Sequence, residues 1–129
     1  MKKILLSLVL ILISPLSQAE LDSASDDEHP IEIYIAELGE QDHFNSNGDR
    51  LTTSAAILQQ DRANVHQAIA IDRNDQAADD NAFFAQKANR AKLASMLSNG
   101  YISPDTENNI LNGTPVVTVK VYRDHIEVE

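Results

Sequence analysis

Two stretches that alternate with period two stand at opposite ends of the chain's body, and what lies between them reads as helix. In Ile31-Glu32-Ile33-Tyr34-Ile35-Ala36-Glu37-Leu38, the residues Ile31, Ile33 and Ile35 share one side. That is the pattern of a half-buried strand with its isoleucines inward. From Pro115 to Tyr122, Val117, Val119 and Val121 alternate against Lys120 and Tyr122. Arg123-Asp124 either turns the chain into a last strand, Ile126 to Glu129, or lies within one continuous strand. No strand separates the intervening helices, which speaks against a doubly wound parallel sheet. The spacing predicts an α+β domain: two or three antiparallel strands from the chain ends, packed against two main helices and one short helix.

The helical stretch carries its own punctuation. Gly39 ends the first strand, and a polar loop follows in which Asn47-Gly48 is a turn signal. Thr52, Thr53 or Ser54 caps a helix that reaches to about Ile69. Leu58, Val65 and Ile69, flanked by Ile57 and Ala68, form its core-facing stripe. Residues 71–80 read as an acidic loop ending in an aspartate cap. A second, alanine-rich helix spans about Asn81 to Ser98 and stops at Asn99-Gly100. Its apolar positions scatter around the wheel, so it is either well buried or broken near Asn89. Ser103 caps a short helix with Pro104 at its first position and Asp105 and Glu107 at the positive end of its dipole. Asn112-Gly113 ends it.

Ahead of this body lies an export signal. Lys2 and Lys3, an apolar run from Ile4 to Ile13, a helix break at Ser14-Pro15 and small residues at Ser17 and Ala19 make a signal peptide, with cleavage expected after Ala19. The apolar run reaches about 15 Å as a helix, half a bilayer core, and is too short for a membrane anchor. The organisation expected is therefore 1–19 signal peptide, 20–30 flexible acidic tether and 31–129 single domain, working in the periplasm or outside the cell. Loss of Lys2 and Lys3 makes the product more acidic than the full chain's formal −10. Such a surface repels nucleic-acid phosphates and anionic lipids and suits a basic periplasmic partner, a divalent cation or, as the simplest reading, solubility alone. The chain has no cysteine, so thiol catalysis, disulfides and Cys-type zinc sites are excluded.

Few residues suggest chemistry. Asp61 falls inside the apolar stripe of its helix, where a lone carboxylate costs several kcal/mol. It is either a general base or metal ligand with a raised pKa, or a structural acid. In the structural case it accepts bonds from loop amides or pairs with a buried arginine such as Arg90. Arg62 and His66 are four residues apart on the same helix and can meet. Asp61, Arg62 and His66 are the catalytic candidates, and His43 joins Asp61 and His66 in a zinc site only if the fold brings them together. The loop offers His43, Asn45, Asn47 and Asp49 for weak calcium binding, but His43 replaces the leading aspartate and Ser54 the bidentate acid. Its other reading is a tight turn whose Asn side chains bond nearby amides. No cofactor motif is present, and no Gly-x-Ser-x-Gly elbow or phosphate loop occurs.

Phe44-Asn45-Ser46-Asn47-Gly48, Ile57-Leu58-Gln59-Gln60-Asp61-Arg62-Ala63-Asn64 and Ile110-Leu111-Asn112-Gly113-Thr114-Pro115 resemble stretches of small exported proteobacterial proteins of unknown function. The resemblance implies that the loop, the Asp61-Arg62 pair and the last turn belong to one connected feature. It implies no activity and no cofactor. Size, acidity and the lack of an assembled catalytic pattern point to a non-enzymatic accessory or protein-interaction domain. The alternative is a small metal-binding protein or hydrolase using Asp61, His66 and His43.

Overall fold

The computed structural model describes residues 29–75 and 82–129. The expected signal peptide, the expected cleavage after Ala19, most of the expected 20–30 tether and the aspartate cap expected at residue 80 lie outside the described residues. The chain runs β1 (Glu32–Glu37), α1 (Ser54–His66), α2 (Lys87–Arg90), α3 (Leu93–Asn99), β2 (Tyr101–Ile102), α4 (Pro104–Asn112), β3 (Val116–Val121) and β4 (Ile126–Val128). Short 3₁₀ turns at Glu40–His43 and Phe83–Ala85 precede α1 and α2. The architecture is α+β, with a sheet ordered β1-β3-β4-β2.

β3 pairs antiparallel with β1 on one side and β4 on the other, so the chain ends build the sheet as the alternation requires. The two-residue β2 is a fourth strand that its sequence does not announce, and it runs parallel to β4. A strand this short has no alternation to read. What admits it is Gly100, where a Cβ would overlap the carbonyl of Ile126 on β4.

The face of β1 that enters the core is the opposite of the one expected. Tyr34 and Ala36 are sealed, whereas Ile31, Ile33 and Ile35 remain 50%, 50% and 41% exposed. Both faces of this strand are apolar, so its own pattern cannot choose between them. β3 chooses. Its valines Val117 and Val119 stand opposite Ala36 and Tyr34, while Ile33 and Ile35 stand opposite Lys120 and Thr118. Directly paired residues share a face, so the isoleucines go where the lysine goes.

Thr53 caps α1 by accepting from the amide of Ala56. Ile57, Leu58 and Val65 pack inward from it. The helix stops at His66 rather than near Ile69. Ile69 N–H bonds the Asn64 carbonyl and Ala68 N–H the Val65 carbonyl, with Ala68 at φ 53°. That is a Schellman ending carried by alanine in the left-handed region, and it leaves Ile69 on the surface at 69% exposure.

The expected second helix is broken twice, at Gln86 and at Ala91-Lys92. Arg90 turns back to donate to the carbonyls of Phe84 and Ala85, and Asn89 donates to that of Phe83. These side-chain bonds compete with a continuous helix. Ser103 caps α4 as the sequence predicts, accepting from Thr106 N–H. Phe84 anchors the core beneath these helices, edge-on to the Tyr34 ring at 5.9 Å. Among the described residues, no helix is long and apolar enough to cross a membrane.

Candidate functional site

The inner side of α1 carries Asp61 and Arg62 into the core, and both side chains are fully buried. Nε of Arg62 donates to Asp61 Oδ2 at 2.7 Å. Its guanidinium lies 4.4 Å over the Tyr34 ring and 3.6 Å from Asp75 Oδ1. Burial pushes the Asp61 carboxyl up to about 8 even though Arg62 pulls it down. Burial acts to lower Arg62, but Asp61, Tyr34 and Asp75 together hold it above its usual value. Asp61 therefore has an arginine partner, but the neighbouring residue rather than Arg90. Asp61 Oδ1, both terminal nitrogens of Arg62 and the Tyr34 hydroxyl are buried and find no hydrogen-bond partner among the described residues.

A second group of acids converges on Gly39, at the end of β1. Its N–H is shared between Asp42 Oδ2 at 2.9 Å and Asp72 Oδ2 at 3.2 Å. Asn64, one turn along α1 from Gln60, donates to Asp42 Oδ1 at 2.8 Å. Burial and the adjacent Asp72 carboxyl push Asp42 up to about 7, against the pull of Asn64. Asp75 accepts from Glu37 N–H through Oδ1 and from Asp72 N–H through Oδ2, both at 2.8 Å, and burial raises its pKa also. The loop read as merely acidic is thus fastened along the end of β1. Its aspartates stand in for the strand partner that an edge lacks. Asp42, Asn64, Asp72 and Asp75 were not singled out by sequence. Only the Asp72–Asp75 spacing, suited to a side chain bonding a nearby amide, hints at their role.

His43 lies beside this group and is 3% exposed. Nδ1 meets the Gly39 carbonyl at 2.8 Å and Nε2 the Ile110 carbonyl at 2.7 Å. Both partners are backbone carbonyls, so the ring ties the end of β1 to the last turn of α4. Arg50 donates to the next carbonyl, that of Leu111. The loop and the last turn of α4 are therefore joined.

The rest of that loop is a tight turn. Asn45 Oδ1 accepts from the amides of Asn47 and Asp49, and Gly48 sits at φ 82°. Asn45 Oδ1 is spent on the backbone, Asn45 Nδ2 reaches the Asp49 carboxylate at 3.4 Å, and Asn47 and Asp49 are exposed. His66 is half-buried in the last turn of α1, and the charges acting on Asp61 are those of Arg62, Asp75 and Asp42. Asp61, with no exposed surface, lines no open cleft with His43 or His66. Among the described residues, no three His, Asp or Glu side chains are arranged to hold a metal ion. What the cluster can do is retain protons inside the fold.

The other feature that stands out is the sheet face turned away from the helices. Ile31, Ile33, Ile35 and Val116 form an apolar band there, with Val116 at 50% exposure. Register puts Glu37, Lys120 and Glu127 on the same face. Glu129 is also there, and its carboxylate pairs with Lys120 at 2.6 Å. Tyr101, 61% exposed, extends the face opposite Glu127. Sequence reading missed this band because it assigned the isoleucines to the core. Comparison of the chain with protein-family models, curated proteins and solved structures finds no match.

Proposed function

We propose that this chain is a non-enzymatic interaction domain of the cell envelope, working in the periplasm or outside the cell. Its open sheet face receives an apolar segment of a basic partner protein. The observation that carries this reading is the exposed band of Ile31, Ile33 and Val116 on a face where alternation normally places polar side chains. Covering each half-exposed aliphatic contributes about 1 kcal/mol. That is enough for a modest affinity. The acids beside the band supply the selectivity: Glu127 and Glu37 favour a segment flanked by Lys or Arg, and the chain's formal charge of −10 steers such a partner inward.

The catalytic reading has less support. Asp61 has no exposed surface, so a substrate would reach it only through an opened core. His43 has both ring nitrogens committed to backbone carbonyls.

A photo-crosslinking residue placed at Ile33, and separately at the exposed Ser95 of α3, tests the proposal in exporting cells. Position 33 should trap a protein whose crosslinked segment is apolar and flanked by basic residues, and position 95 should not. Ile33→Glu should then abolish binding of that purified protein without lowering the melting temperature. Equal adducts from both positions, or none from position 33, would refute the reading. A crosslinked product of two copies of this chain would replace the basic partner with self-association.

A further inference from the structure

A cleft of about 320 Å³ lies between α1 and α2, on a different part of the molecule from the sheet face. Its walls carry Gln59, Gln60 and Gln67 from α1 and its C-cap, and Lys87 and Arg90 from α2, over a floor that includes Ala63. Among the described residues no carboxylate lines it, although the chain has 20 acidic residues against 10 basic ones. Two cations and three carboxamides therefore converge there with no acid among the described lining residues.

Arg90 is the built element of this cleft. It is 6% exposed, and one terminal nitrogen donates to the carbonyls of Phe84 at 3.0 Å and Ala85 at 2.9 Å. Those bonds hold the guanidinium in place before any ligand arrives, so little rotamer entropy remains to be lost on binding. These bonds use one terminal nitrogen, and the remaining N–H groups of a guanidinium form a fork that matches a carboxylate. Lys87 is exposed and supplies a second, mobile positive charge. The three glutamines offer both donors and acceptors, suited to amide or hydroxyl groups next to the carboxylate.

We infer that this cleft binds a carboxylate borne on a small polar scaffold, such as a peptide C-terminus or a sugar acid. The acidic body does not forbid it. Charges more than about 10 Å away are largely screened at moderate ionic strength, whereas Lys87 and Arg90 act at contact. The volume suits a ligand of dipeptide or monosaccharide size.

Titrations followed by amide NMR, with N-acetyl-alanyl-alanine, its C-terminal amide and D-glucuronate, test the inference on the full mature chain. The free-acid peptide or glucuronate should move the amide signals of Gln59, Gln67 and Lys87, and the tighter of the two identifies the scaffold. The peptide amide should move them far less. Lys87→Gln, an exposed change, should weaken binding about tenfold while leaving the melting temperature unaltered. Arg90→Lys should weaken it further, and Lys87→Gln decides the matter if that variant does not fold. Failure of both acids to bind, equal binding of the peptide amide, or unchanged affinity in Lys87→Gln would overturn the inference.

Discussion

Replacing Arg62 with methionine isolates what the buried ion pair contributes. The substitution keeps most of the side chain's volume. It removes the 2.7 Å bond to Asp61 and the cation stacked 4.4 Å from the Tyr34 ring. Asp61 then stays fully buried beside Asp42 and Asp75 with no counter-charge. Where Asp61 would be ionised, above about pH 8, breaking such a pair from one side costs about 3–5 kcal/mol, and less where the carboxyl keeps its proton. A domain of this size holds roughly 5–15 kcal/mol in total, so the variant should be folded but fragile.

The cost must also depend on pH, with a definite sign. The Asp61 carboxyl is already raised to about 8 by burial, and Arg62 is what pulls it down. Without Arg62 it rises further, so the folded variant holds a proton that the unfolded chain releases near pH 4. A raised acid makes stability fall as pH rises towards its folded value. In the wild type that fall ends near pH 8, and in Arg62→Met it continues. The gap between the two should widen by up to about 1.4 kcal/mol per pH unit above pH 8.

Urea unfolding followed by circular dichroism at about pH 6 and about pH 9, at constant ionic strength, measures this directly. The double variant Asp61→Leu with Arg62→Met completes the test. It buries no charge at the site and should recover most of the lost stability. A double variant no more stable than the single one, or a single-variant loss equal at both pH values, would refute the account of Asp61 as an acid kept by its arginine.

Two further outcomes follow from the same structure. Asp42, pushed up to about 7 by burial and Asp72, adds stability that is complete below about pH 4 and is lost as pH rises towards 7. Asp42→Asn should flatten that part of the profile, as read from melting temperatures between those limits. Ala68→Gly should stabilise the chain by about 1 kcal/mol, because Ala68 holds φ 53° at the end of α1 and glycine adopts that conformation without strain. Equilibrium unfolding reads the gain, and a loss of stability would mean that the left-handed ending of α1 is wrong.

Much of this molecule was legible in its residue order because local rules suffice for it. The Ser103-Pro104 start of α4, the Thr53 cap, the Asn47-Gly48 turn and the inward valines of β3 each depend on neighbours a few residues away. Asp61 was also visible as an acid in an apolar stripe, since helical periodicity alone places it there. Its partner was less so: Arg62 is adjacent in sequence, and only packing against Tyr34 decides that it turns inward as well.

Three features needed the assembled fold. The inner face of β1 was settled by register with β3, since Ile33 follows Lys120 and Tyr34 follows Val119. The strand β2 exists only because β4 lies close against Gly100. The docking of Asp72 and Asp75 on Glu37 and Gly39 joins residues more than thirty positions apart. In each case the deciding contact is long-range, so the energy that selects it belongs to no single segment. Local pattern gave the elements of this protein; pairing across the chain decided which of their faces meet the core and which stay exposed.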